Sequence, residues 1–422
     1  MPIYVRSAAP VSGAILVTLT AFLSLATLSG LVRFGVAEAG APASSSSDAV
    51  MAGAFDAIGS IRDLRPLNPN QIPIECPVEV TTGGPPFLMA DNPEWIKEPG
   101  LHSLATFTGK ARFFWFIVNH TPPAGGPLYV TLVGENRGMQ PARVQVNRVG
   151  YMYGADSELA GQEALYQYLA GTPATRPVVI PPGGREFVVP ELNRRWLYKG
   201  WVSVLYLEVE TDQPVTFYVE AVHRPTTEVA ALTRLKPEGP KELEGVQLLD
   251  LRGTFPASER EMHFVIDRLP ARVLIAADQF HPAQRWLDPP LIGVDEMTGW
   301  RTVDDGNYGM LYRLHFTITA ATERPVGIYF SPVPTSGLAT VARVVSPYQA
   351  LERLPRQKGS RVESPDDGVL VAVIPPTVTT AAATTATAGS PANQVQPQEI
   401  VLETFPPAGS CAIVPVLIAP LE

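Results

Sequence analysis

Proline punctuates this chain from end to end. It accounts for 43 of 422 residues, about twice the usual share, and inside a helix each one would remove a hydrogen bond and clash with the preceding turn. Long helices are therefore excluded as the main architecture, and short extended segments separated by turns are expected. Apolar residues make up 45% and charged residues 17%, which suits buried cores over most of the length and argues against wholesale disorder. At roughly 100–200 residues per domain the length suggests two or three domains. The balance of 32 basic against 41 acidic residues gives a net charge of -9. With no Lys/Arg run to neutralise a phosphate backbone, nucleic acid is not an expected partner.

Residues 14–32 (AILVTLTAFLSLATLSGLV) carry no charge and are long enough to cross a bilayer. Ala37-Glu38-Ala39 follows as a small-x-small cleavage pattern. Residues 1–40 thus read as a signal peptide cut near Ala39 or as a retained transmembrane anchor, and either puts the rest outside the cytoplasm, secreted or membrane-anchored. Arg6 and Arg33 flank the stretch on opposite sides and leave its orientation open. Residues 41–75 open on APASSSS and read as a linker. Cys76 and Cys411 are the two cysteines. In an oxidising compartment they could pair, or they could remain isolated thiols. No CxxC or Cys/His cluster offers a zinc ligand set.

Two folded units are expected, 76–235 and 245–422, joined by the charged, proline-containing segment 236–244. Strands are predicted at 112–119, 128–133, 142–149, 186–189, 201–210 and 215–222 in the first, and at 262–267, 272–276, 310–319, 325–330, 339–345 and 369–374 in the second. The alternation of Tyr312, Leu314, Phe316 and Ile318 with Arg313, His315, Thr317 and Thr319 is that of a half-buried strand. One helix is predicted over 157–170, capped by Asp156 or Ser157 and ended by Gly171 and Pro173. It reads as an insertion across a sheet edge. The Thr/Ala-rich stretch 377–398 is a low-complexity insertion, with strand-like sequence after it. The expected fold class is all-β: two tandem antiparallel β-sandwiches with one short helical insertion, behind an N-terminal apolar export helix.

The two units echo each other. Pro181-Pro182-Gly183-Gly184 and Pro406-Pro407-Ala408-Gly409 each feed a strand, and Leu128–Leu132 matches Leu314–Ile318 in pattern. A duplication and a generic strand-turn-proline-strand hairpin both account for this. The run Glu135-Asn136-Arg137-Gly138, then Pro141–Val146, then Pro-Pro-Gly-Gly before a strand resembles the immunoglobulin-like modules of bacterial exported and cell-surface proteins, over about 112–189. That resemblance implies an adhesion, scaffold or envelope role and transfers no binding residue.

No GxSxG elbow, HExxH, Walker loop or dinucleotide fingerprint occurs. The six histidines (102, 120, 223, 263, 281, 315) are scattered and read as surface or strand-face residues. Asp288, Asp295, Glu296, Asp304, Asp305 and Asn307 crowd one loop-rich stretch, where oxygen ligands could hold calcium, the one cofactor considered; otherwise none is expected. Trp286, Trp300 and Tyr308 lie in the same stretch, and Trp196, Tyr198 and Trp201 in the first unit; such rings stack on sugars when exposed and fill cores when not. The leading expectation is an exported or membrane-anchored, non-enzymatic envelope structural or adhesion protein, meeting cell-envelope polysaccharide or another surface protein. The alternative is a carbohydrate-binding surface module using Trp286, Trp300 and Tyr308, and a secreted hydrolase ranks third.

Overall fold

The computed structural model describes residues 46–422, apart from 123–125, 172–176, 244, 276–287, 333–336, 357–360, 378–395, 407, 409–413 and 422. The apolar stretch 14–32, Trp286, Cys411 and most of the low-complexity insertion therefore lie outside the described residues. Residues 46–422 form one compact unit, mostly β, with strands in three sheets among the described residues.

Two long strands, Gly100–Asn119 and Val202–Val222, pair antiparallel along nearly their whole length. The predicted strands at 201–210 and 215–222 are thus one strand, joined across a register shift between Thr211 and Val215 opposite Gly109, whose φ is +78°. Up to that break Val202–Val222 pairs with Ala142–Gly154, and beyond it with Tyr129–Glu135. The ribbon changes neighbours where the glycine and the irregularity let it bend. Phe107, Phe113 and Phe217 meet edge-on or tilted across the bend. Trp115 is fully buried beside them, its indole N–H donating to Ser203 Oγ at 2.9 Å.

In the C-terminal half a five-stranded sheet and a six-stranded sheet share one core. Val326, Ile328, Val371 and Ile418 of the first pack in the same cluster as Met262, Phe264, Leu314 and Phe316 of the second. Strand Leu311–Ile318 alternates as its sequence predicts, with Tyr312, Leu314, Phe316 and Ile318 buried. Pairing is not purely antiparallel, however: Glu259–Ile266 runs parallel to Leu311–Ile318, in register over all eight residues. A parallel pair needs a long crossover, commonly a helix. Here strands perform it, since Ala271–Ile275 joins the five-stranded sheet and Leu291–Val294 and Arg301–Asp304 join the largest one before the chain returns.

The segment expected as a linker is ordered from Ser46. A helix, Ser46–Asp56, precedes strand Ile61–Asp63, which pairs with Asp367–Ile374. Glu79–Gly83 pairs with Glu259–Ile266, and Phe87–Ala90 with Arg252–Phe255. Three strands before residue 236 are therefore hydrogen-bonded to strands after 244, and Lys241–Leu243 within that connector is itself a strand. Backbone donors at a strand edge seek partners wherever the chain brings them, and composition carries no record of which.

Helix Ser157–Ala170 forms as predicted: Asp156 Oδ1 accepts from the Leu159 N–H at 3.1 Å, and Gly171 takes φ +71° at the C-cap. It lies as a wedge, with more than an edge contact. One side packs on Ala142–Gly154 and Val202–Val222, the other on Thr340–Ser346 and Ala350–Leu354. Gln162 Nε2 donates to the Leu354 carbonyl at 2.9 Å and to that of Thr340 at 3.3 Å. Ala160, Ala164, Leu165, Tyr168 and Leu169 belong to the same cluster as the five- and six-stranded sheets, so the two expected units share a core. Small residues make this approach feasible, and a Cβ on Gly150 would fall 1.9 Å from the Ala164 carbonyl oxygen. Gly150→Ala is expected to lower stability by about 1–3 kcal/mol through forced displacement of the helix. Thermal unfolding of the variant beside wild type checks this, and an unchanged midpoint would show that the contact yields freely.

Candidate aromatic groove and acidic cleft

The turn that leads into strand Val202–Val222 positions a set of aromatic rings. After the short 3-10 helix Pro190–Arg194, Trp201 N–H donates to the Tyr198 carbonyl at 3.0 Å, and Gly200, at φ +77°, closes the bend by donating to Asn119 O. Tyr129, Trp196, Tyr198 and Trp201 then follow one another edge-to-face, with centroids 6.5, 6.4 and 5.0 Å apart. Tyr151 and Tyr153, two apart on Ala142–Gly154, point to the same side and meet at 6.3 Å. Tyr151, Tyr153, Trp196, Tyr198 and Trp201, with Gln167, Arg194 and Arg195, line a groove of about 400 Å³. Tyr151, Tyr153 and Trp201 rest partly on the core of the first half, whereas Trp196 and Tyr198 remain 46% and 48% exposed. Rings so anchored present flat apolar faces beside hydrogen-bond donors.

On the other side of the same turn, Gly200 and Val202 line a larger cleft of about 610 Å³. Its walls include Trp95, Phe114, Phe116 and Tyr308, and its acids are Asp91, Glu94, Glu158 and Glu363. Trp95 Nε1 donates to Glu94 Oε1 at 2.9 Å. Arg361 bridges Glu158 at 3.2 Å and Glu363 at 2.6 Å. Burial raises the pKa of Glu94 and, against the pull of Arg361, that of Glu158. Asp91 is raised well above the usual carboxylate range, by burial and then by the charges of Glu94, Asp250 and Asp304. Its Oδ1 has no hydrogen-bond partner among the described residues.

Asp91 belongs to an acidic group built from strand ends. Phe87–Ala90, Val246–Asp250 and Arg301–Asp304 all terminate here. The Asp91 N–H donates to Leu251 O and Asn92 Nδ2 to Asp250 O. Lys241 forms an ion pair with Asp250 and lies 3.8 Å from Asp305. Burial pushes the Asp250 carboxyl up to about 6 against that lysine, and pushes Asp304 well above the usual carboxylate range.

The residues singled out by sequence are distributed over this architecture. Asp304 and Asp305 sit in the acidic group, Asp304 accepting from the Tyr308 N–H at 2.8 Å. Asp288 is fully buried with Arg260, Tyr312 and Asn307, and Asp295 with Arg252 at 3.4 Å. Each of the four has its own cationic or backbone partner. Tyr308 lines the cleft, while Trp300 stands 50% exposed and is not among the residues lining the groove or the cleft. Cys76 is exposed. Sequence reasoning passed over Asp91, Glu94, Trp95, Tyr151 and Tyr153; the Trp196–Trp201 aromatic run was the one available signal for the groove.

No known family pattern matches this chain, and no curated protein matches it in sequence. Among solved structures it is similar to Lac15 from a marine microbial metagenome, at 9% identity and a TM-score of 0.10, over 71% of this chain and 49% of that one. A multicopper oxidase of Campylobacter jejuni, a metallo-oxidase, follows at 8% identity and a TM-score of 0.08, over 70% and 47%. The chain spans about half the length of these structures, and likeness at such scores carries no argument about fold or activity. Among the described residues no helix is long and apolar enough to cross a membrane.

Proposed function

We propose that this is an extracytoplasmic, surface-exposed protein that binds cell-envelope polysaccharide in the aromatic groove, secreted or held to the membrane by residues 14–32. The observation that carries this reading is the row of edge-to-face rings whose half-exposed middle members, Trp196 and Tyr198, line a groove of about 400 Å³. Sugar rings present C–H faces that stack on such side chains, and Gln167, Arg194 and Arg195 supply donors for hydroxyl or acidic substituents. The two arginines favour an anionic glycan.

Co-sedimentation of the full-length chain, purified in mild detergent, with cell-envelope polysaccharide tests this. Trp196→Ala and Tyr198→Ala are each expected to weaken binding about tenfold, the value of one good ring contact. Binding unchanged in the double variant would refute the groove. A parallel run with Trp300→Ala and with a calcium chelator tests the Trp286, Trp300, Tyr308 surface and the Asp288, Asp295, Asp304, Asp305 acids in their expected roles. The cleft supports a second reading, hydrolysis of the bound glycan, because it gathers carboxyls whose pKa burial raises beside aromatic walls. Release of reducing ends, abolished by Asp91→Asn or Glu94→Gln, would establish it, and no release from the bound glycan would dismiss it.

A further inference from the structure

The parallel pairing of Glu259–Ile266 with Leu311–Ile318 has a chemical consequence on the outer face of the six-stranded sheet. His263 and His315 are direct register partners, and their rings stack at 4.1 Å with an interplanar angle of 14°. Glu261, two residues before His263, shares that face. Its Oε1 lies 2.7 Å from His315 Nε2 and 3.7 Å from His263 Nε2. All three side chains are partly buried, and each offers a ligand atom within 4.8 Å of the others.

The His315 contact is short yet lacks hydrogen-bond alignment, and Nε2 has no hydrogen-bond partner among the described residues. Two nitrogens and an oxygen therefore crowd one point. A zinc ion bound at about 2.0–2.1 Å to tetrahedral ligands spaces them roughly 3.3 Å apart, and the observed 2.7 and 3.7 Å bracket that value. Arg313, the register partner of Glu261, is engaged by Glu403 at 2.8 Å, so it does not neutralise Glu261 by a direct contact of that kind. Glu79 is the register partner of His263 on the other side and stands on the same face, exposed to solvent.

We propose that His263, His315 and Glu261 form a binding site for a divalent d-block ion of the zinc class, with a fourth position open to solvent and within reach of Glu79. Two imidazoles and a carboxylate are the donors such ions select over calcium or magnesium. The site is separate from the groove and the cleft and does not rest on the glycan-binding reading.

The test uses the full-length chain, stripped with a chelator and titrated with Zn²⁺ by calorimetry, with Co²⁺ as a spectroscopic probe. One ion per chain is expected, with the intense visible bands of four-coordinate Co²⁺. His263→Ala and His315→Ala are each expected to weaken binding more than about 100-fold, beyond the 10–100-fold typical of losing an outer-shell partner. Glu261→Gln should weaken it at least tenfold. Because these side chains lie on a half-exposed face, the variants' unfolding midpoints in chelator should match wild type, and that match shows that lost binding is not lost folding. Wild type and a His263→Ala, His315→Ala double variant binding Zn²⁺ alike would overturn the proposal, as would wild type failing to bind at micromolar concentrations.

Discussion

Arg260→Met is expected to cost about 3–5 kcal/mol of stability, the largest effect of any single substitution considered for this chain. Arg260 is 2% exposed and its partner Asp288 fully buried. The guanidinium also donates to the Pro289 carbonyl at 3.1 Å, while Asp288 accepts from Tyr312 Oη at 2.6 Å and Asn307 Nδ2 at 3.1 Å. Methionine fills similar volume but leaves a carboxylate in the interior without its counter-charge, and desolvation makes that state costly. Adding Asp288→Asn removes the stranded charge and keeps an oxygen acceptor, so the double variant should recover a large part of the loss. Urea unfolding of the three proteins checks both statements. A single-variant loss below about 1 kcal/mol would mean that water reaches Asp288 and the pair is not a buried one.

Stability should also fall as pH rises from about 4 through 6, the reverse of ordinary acid denaturation. A carboxyl whose pKa is higher folded than unfolded binds its proton more tightly in the native state. Its stabilising contribution is complete below the unfolded pKa and is lost as pH climbs through the folded one. For Asp250, held at about 6 against an ordinary 3.8, that loss is on the order of 3 kcal/mol. Burial raises Asp91 and Asp304 in the same direction, so both add to the decline. Asp304→Asn keeps an acceptor for the Tyr308 N–H and removes one charge from the group. It should be more stable than wild type at pH 8 and converge with it near pH 4. Denaturant unfolding at each pH measures the difference. A gap that stays flat across the range would show that the acidic group is hydrated and not the source of the slope.

Much of the local structure was legible. Helix Ser157–Ala170 was readable because its cap, its stop and its small apolar residues are all local, and the 311–318 strand because burial of one face imposes a period of two. The joining of 201–210 and 215–222 into one strand was not, since Thr211 to Pro214 looks like a turn and the strand is made continuous only by pairing with Gly100–Asn119 on both sides of it, up to Thr211 and again from Val215. The Asp288–Asn307 stretch read as one oxygen-rich loop, whereas Arg260 and Arg252, both well before it in sequence, each claim one of its aspartates. The groove was half visible: Trp196, Tyr198 and Trp201 announced themselves, but Tyr151 and Tyr153 reach them only through the pairing of Ala142–Gly154 with Val202–Val222.

The sequence by itself determined the class of structure, because proline density and two-residue alternation act on the backbone within a few residues. It determined too where helix Ser157–Ala170 and strands such as Leu311–Ile318 lie, for the same reason. Only the tertiary structure decided which strands meet. Pairing is a contest among backbone edges distant in the chain, and its outcome placed Asp91 beside Asp250 and Asp304, and His263 against His315. No local property of the sequence encodes those juxtapositions.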